Sequence, residues 1–160
     1  MAVIQRARQQ YPDCLNFDRL AVDCAIKLKN WTLAERHLKR LWGLNPWDPN
    51  LLLRYAGVAF SQGDYALAVK LYEDCAEGGP LGFTGQTEYG IALSKVKRGK
   101  EALAVLRNLE KENPDSPNLL NNIGFILASE GHPVEALHYC RRAVELAPGQ
   151  EYIWDSLGFV

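Results

Sequence analysis

The sequence predicts an all-α fold of stacked helical hairpins that repeat every 34 residues. Three observations predict it. Pro46, Pro80, Pro114 and Pro148 stand 34 residues apart, and Pro12 extends the series back by one period. Ala34, Ala68, Ala102 and Ala136 each lie twelve residues before one of those prolines. Gly90, Gly124 and Gly158 keep the same spacing, with Ala56 in the preceding place. A proline cannot donate to the helical ladder and so ends a helix, whereas a small residue in fixed phase marks a place where two helices approach closely.

Taken in order, residues 1–14 match the second half of a hairpin, with Ala7 five residues before Pro12. Full repeats follow at 15–48, 49–82, 83–116 and 117–150. The second opens on Asp48-Pro49 and the fourth on Ser116-Pro117, each an N-cap residue ahead of a proline at the first helical position. The second closes on Glu77-Gly78-Gly79-Pro80. Two glycines there should end the helix early and change the superhelical angle at the next joint. In 117–150, Leu120, Ile123, Gly124 and Leu127 form one apolar helical stripe. Gly131, His132 and Pro133 make the turn, and Ala136, Cys140 and Ala143 mark the inward face of a second helix that runs through Leu146 to Pro148. Residues 151–160 open another repeat with Trp154, Leu157 and Gly158. The chain therefore reads as one solenoid over 1–160 that starts and stops inside repeats of a longer array.

Composition narrows the function classes. The chain has 160 residues, 48% hydrophobic and 23% charged, with a formal net charge of -1. That balance disfavours phosphate-driven nucleic-acid binding. Residues 1–48 are mildly basic and residues 49–160 mildly acidic. No apolar run is long enough to span a bilayer, and the N-terminal stretch lacks the apolar core of a secretory signal. The four cysteines, Cys14, Cys24, Cys75 and Cys140, have no close pair with metal-ligand spacing. They read as buried free thiols of a reducing compartment, which favours the cytoplasm.

The proline, alanine and glycine ladder resembles the tetratricopeptide repeat, whose motif runs W-x2-LG-x2-Y, then G, A, F, A and P over one period. The resemblance covers essentially the whole chain and implies a right-handed α-solenoid, with first helices lining a concave groove and second helices forming the outer wall. Departures occur. Asp18 and Val22 replace the expected large and small residues, so that first helix should pack less regularly. Gln86 replaces the first aromatic of its repeat, and the turn glycine slips to Gly99.

The groove positions of such a solenoid are supplied here by Arg54 and Phe60, then Glu88, Ile91 and Lys95, then Asn118, Asn121, Asn122 and Phe125. Ile91, Phe125 and Phe159 recur at the repeat spacing, so they should form an apolar line with Phe60 near one end. Beside it the three asparagines can both donate and accept hydrogen bonds. Amides that hold a backbone and aromatics that take side chains suit an extended peptide or a helix. The competing reading packs Ile91 and Phe125 into the core between first helices.

The best-known ligand mode of that family clamps a chaperone's C-terminal carboxylate. It needs Lys and Asn on one first helix, Asn on the next, and Lys and Arg on the third. Starting from 83–116, the matching places hold Thr87 and Ile91, then Asn122, then Tyr152 and Ser156. The two earlier registers fit no better, so no such clamp is expected.

Other chemistry is weaker. His132, His138 and Cys140 are close in sequence, but a turn residue and an inward cysteine make poor co-ligands. His37 lies in a basic stretch that reads as a solvated helical face. No phosphate loop, nucleophile elbow or paired-carboxylate motif is present. The sequence thus points to a non-catalytic scaffold without cofactor or metal that binds a protein or peptide partner. Two alternatives stand beside it. One is a module that self-associates head to tail through its unfinished terminal repeats; the other is a regulatory or spacer domain of a larger protein.

Overall fold

The computed structural model describes residues 15–159 apart from Trp47. The half repeat expected at 1–14, with Cys14, lies outside the described residues, as do the side chains of Leu157 and Phe159. Nine helices occur among the described residues: α1 (Leu15–Lys27), α2 (Trp31–Leu44), α3 (Pro49–Gln62), α4 (Tyr65–Gly78), α5 (Phe83–Lys95), α6 (Gly99–Glu112), α7 (Pro117–Ser129), α8 (Pro133–Leu146) and α9 (Glu151–Phe159). They fall into two compact units, Met1–Leu81 and Gly82–Val160.

In the first unit α1 packs on α2 and α3 on α4, and α2 joins the two hairpins by contacting α3. The helix starts follow from side-chain oxygens that satisfy orphan amides. Asn30 accepts from the Leu33 amide at 3.1 Å and Asp64 from the Leu67 amide at 3.1 Å. Asp48 accepts from the amides of Asn50 and Leu51 at 3.1 and 3.3 Å. The repeat alanines Ala34 and Ala68 are 0% exposed, as the ladder requires. The glycine pair at 78–79 does not end α4 early: the helix runs through Gly78 and is 14 residues long, the same as α2, α6 and α8.

Two readings of this unit are corrected. His37 is not on a solvated face. It is buried, and its Nδ1 lies 2.7 Å from Asp18 Oδ1, while Arg40 Nε lies 3.4 Å from Asp18 Oδ2. Asp18 and Val22 are themselves buried. The departure from the motif therefore places a buried polar contact of Asp18 with His37 and Arg40 between α1 and α2 rather than leaving a loose helix.

The second unit stacks α5–α6, α7–α8 and α9, with α6 against α7 and α9 against both α7 and α8. Leu106 and Cys140 sit on glycines: a Cβ at Gly90 would come within 2.6 Å of Leu106 Cδ2, and one at Gly124 within 2.5 Å of Cys140 Sγ. The turn between paired helices has a residue with positive φ in every complete repeat. Lys29, Gly63, Lys97 and Gly131 occupy the same repeat position and all have positive φ, at 52°, 81°, 66° and 84°. The turn glycine of the third repeat is therefore not shifted to Gly99, which opens the next helix, but replaced at its own position by Lys97.

Candidate functional site

The first helices carry the candidate residues, and the two units treat them differently. On the first unit, Arg54 of α3 is ion-paired with Asp23 of α1. Arg19 of α1 reaches Asp48 at 3.4 Å. The Phe60 ring packs edge-on against Tyr65, with centroids 5.7 Å apart. Both candidates on this unit therefore have partners within it, Arg54 across the two first helices and Phe60 inside its own hairpin.

On the second unit, α5, α7 and α9 are neighbours, so their faces adjoin. Phe125 is 38% exposed, and Lys95 Nζ lies 5.7 Å from its ring centroid, within reach of the negative face of the π system. Glu88, Ile91 and Asn122 are half-buried, and Asn118 and Lys95 are exposed. The Tyr152 hydroxyl of α9 lies against Asn118 Oδ1 and 2.6 Å from Gln150 Oε1, and donates its one proton to one of them. The register places α9 beside α7 so that Tyr152 stands one full repeat from Asn118.

Asn121 departs from its expected place. It is buried rather than presented on the face, and its Oδ1 has no hydrogen-bond partner. The helical spacing that puts Asn121 beside Asn122 cannot tell the rim of a face from the seam between helices. Phe159, the third member of the expected apolar line, has its side chain outside the described residues.

Several other ionisable groups lie in the contacts between helices. Cys75 and Cys140 are buried free thiols and Cys24 is half-buried and free. Burial, with Asp74 adding a smaller repulsion, pushes the Cys75 thiol up to about 11, and burial pushes Cys140 up as well. Both stay protonated near neutrality. Tyr139 of α8 donates to Glu110 Oε2 of α6 at 3.0 Å, and burial first, then that carboxylate, raises its phenol. Arg142 reaches Asp115 at 3.0 Å, and Arg107 pairs with Glu135. These contacts tie α8 to α6 and to the turn before α7. His132 and His138 are exposed whereas Cys140 is 0% exposed, so the three do not converge. Among the described residues, no three His, Cys, Asp or Glu side chains are placed to hold a metal ion.

The Asp18–His37 pair escaped the sequence reading. A carboxylate on the inward stripe of α1, facing a histidine on the inward stripe of α2, is the signal that could have found it.

The arrangement on the second unit offers an aromatic ring, an adjacent cation, an aliphatic side chain and amides. Comparison with known proteins bears on what such a surface belongs to. The family model described as tetratricopeptide repeat matches residues 25–82 and 89–151. The human Cell division cycle protein 16 homolog is 28% identical over 132 residues, 82% of this chain, and the chain spans 17% of that protein's length. MamA from Desulfovibrio magneticus RS-1 superposes with a TM-score of 0.81 at 23% identity, covering 92% of this chain and 83% of that one. YrrB, described as a TPR protein with an unusual peptide-binding site, superposes with a TM-score of 0.72 at 19% identity, covering 97% and 80%. At these identities the structural likenesses establish the helical-repeat fold.

Proposed function

The chain belongs to the tetratricopeptide-repeat family, and on that premise we propose that it is a non-catalytic scaffold binding a peptide or helix of a partner protein on the first-helix face of its second unit. The observation that carries the reading is Phe125, 38% exposed on α7 with Lys95 beside its ring. Ile91 extends the apolar contact, and Asn118 and Asn122 supply donors and acceptors for a backbone. A relative with the same fold, YrrB, is described as having a peptide-binding site.

The energetics fit a modest affinity. Covering the rest of a half-exposed aromatic contributes about 1 kcal/mol, and the neighbouring cation strengthens contact with a carbonyl-rich or acidic ligand by a similar amount. Two or three such contacts reach about micromolar binding after ordering costs. The test is to select peptides from a random display library against the wild type, then titrate them against Phe125→Ala/Asn122→Ala and against Arg54→Ala. The double variant should weaken binding about tenfold or more, whereas Arg54→Ala, on the first unit, should leave it unchanged. Equal affinity for the wild type and a folded double variant would remove the face from consideration.

A further inference from the structure

Three polar side chains are buried among the described residues: Asp18, His37 and Asn121. Asp18 and His37 meet each other at 2.7 Å. Asn121 Oδ1, in contrast, is the one buried side-chain oxygen or nitrogen among the described residues that has no hydrogen-bond partner. A buried amide oxygen that has given up water without gaining a donor lowers stability, so its presence calls for a physical reason. Counting each repeat from 15, 49, 83, 117 and 151, position 5 holds Arg19, Leu53, Thr87, Asn121 and Asp155. Arg19, Leu53 and Asp155 are exposed and Thr87 is half-buried, so the position belongs to the first-helix face and not to the hairpin core. On α7, Asn118, Asn121 and Phe125 follow at i, i+3 and i+7 and share one stripe. The Asn118 oxygen already lies against the Tyr152 hydroxyl, and Phe125 is 38% exposed beside Lys95. Between them, the Asn121 oxygen is an acceptor without a donor.

We propose that the ligand of this face is an extended peptide, and that Asn121 holds it by accepting a hydrogen bond from one of its backbone amides. This ligand class rests on the face reading above and narrows it from a peptide or helix to an extended segment. A helix spends its backbone N–H groups on its own carbonyls beyond the first turn, whereas an extended chain leaves them free for a partner. The Asn121 oxygen meets the ligand by rotation of the amide about its terminal torsion, which is broad and soft. Asn121 and Phe125 are about one helical turn apart, about 6 Å along the axis. That is the length of about two residues of extended chain. Lys95, exposed beside the ring, adds charge complementarity to a carboxylate. The chemistry recognised is an apolar side chain on the Phe125 ring, an acidic residue next to Lys95, and a free backbone N–H about two residues from the apolar side chain.

The test uses the 160-residue chain and peptides selected against it from a random display library. Asn121→Leu removes the acceptor, keeps a similar size and has the better helix propensity, so the fold stays intact. Its melting temperature should equal or exceed that of the wild type, because an unpaired buried acceptor is exchanged for an apolar group. The same variant should bind the tightest selected peptide about tenfold more weakly. Methylating the backbone nitrogens of that peptide one at a time should find a position that costs the wild type about tenfold and costs Asn121→Leu nothing further. A lower melting temperature means that the oxygen is satisfied in the free chain and overturns the proposal. A scan in which no position is coupled to Asn121 overturns it too, because the ligand then brings no backbone donor to this oxygen. If Asn121→Leu binds like the wild type while Phe125→Ala is weakened, the proposal fails and the face reading stands. If both variants bind like the wild type, the face reading fails with it.

Discussion

The first-helix faces of the two units have the same register and opposite chemistry. On the first unit, Asp23 meets Arg54, Arg19 meets Asp48, and Phe60 leans on Tyr65. On the second, Phe125 stays partly open beside Lys95, flanked by Asn118 and Asn122. A charge pair satisfied within the chain has to be broken before a ligand can use it, and its exposed members contribute little to stability. An open ring needs no such exchange, whereas the Asn118 amide already meets Tyr152. The same scaffold thus supplies one face whose charges pair within the chain and one with a partly exposed ring beside a lysine. The inner contacts differ in the same sense: the first unit buries Asp18 and His37 between α1 and α2, whereas the second seats Leu106 and Cys140 on glycines.

That contrast can be broken at several points. The largest effect is expected for Leu106→Ala, which empties the seat on Gly90 and should cost about 3 kcal/mol. Hydrogen exchange should show the loss concentrated in α5 to α9, because stacked repeats stabilise mainly their neighbours. Equal loss in α1 to α4 would mean that the two units unfold as one. Next comes Asp18→Ala, which leaves His37 Nδ1 without its partner in a buried contact and should cost about 1–3 kcal/mol in denaturant titration. An unchanged midpoint would show that the pair contributes nothing net.

Smaller effects test the shared turn. Lys29 and Lys97 adopt a left-handed geometry that glycine adopts without a Cβ penalty, so Lys29→Gly and Lys97→Gly should each stabilise by about 0.5 kcal/mol. A fall in melting temperature for both would refute the idea that the lysines are strained there. The smallest effect concerns the thiols. Peptide mapping after brief alkylation at mild pH should find Cys24 modified ahead of Cys75 and Cys140. Burial favours the neutral Cys75 thiol in the folded chain. Its stabilising contribution is therefore complete below the ordinary value of 9.0 and is lost as pH rises towards about 11, while labelling of Cys75 accelerates. Early labelling of Cys75 would contradict its burial.

Much of this was legible in the residues. The hairpin boundaries follow from prolines and caps, and Ala34, Ala68, Ala102 and Ala136 are fully buried as the ladder demands. The face residues were less legible. Spacing places Asn121 and Asn122 side by side on one stripe, but only one of them stays accessible. The spacing marks Arg54 and Phe60 as expected face residues but gives no sign of their partners Asp23 and Tyr65. His37 was misread because a basic stretch of helix resembles a solvated face until a carboxylate from another helix is brought beneath it.

The sequence by itself determined the period, the all-α class, most helix ends and the small residues where helices approach. These are local properties: a proline ends a helix and a glycine admits a neighbour wherever the chain goes next. Only the tertiary structure decided which polar groups are paired within the chain and which stay exposed. That outcome depends on distances between side chains about one repeat apart, as for Asp23 with Arg54 and Asn118 with Tyr152, and no single-helix periodicity specifies those distances.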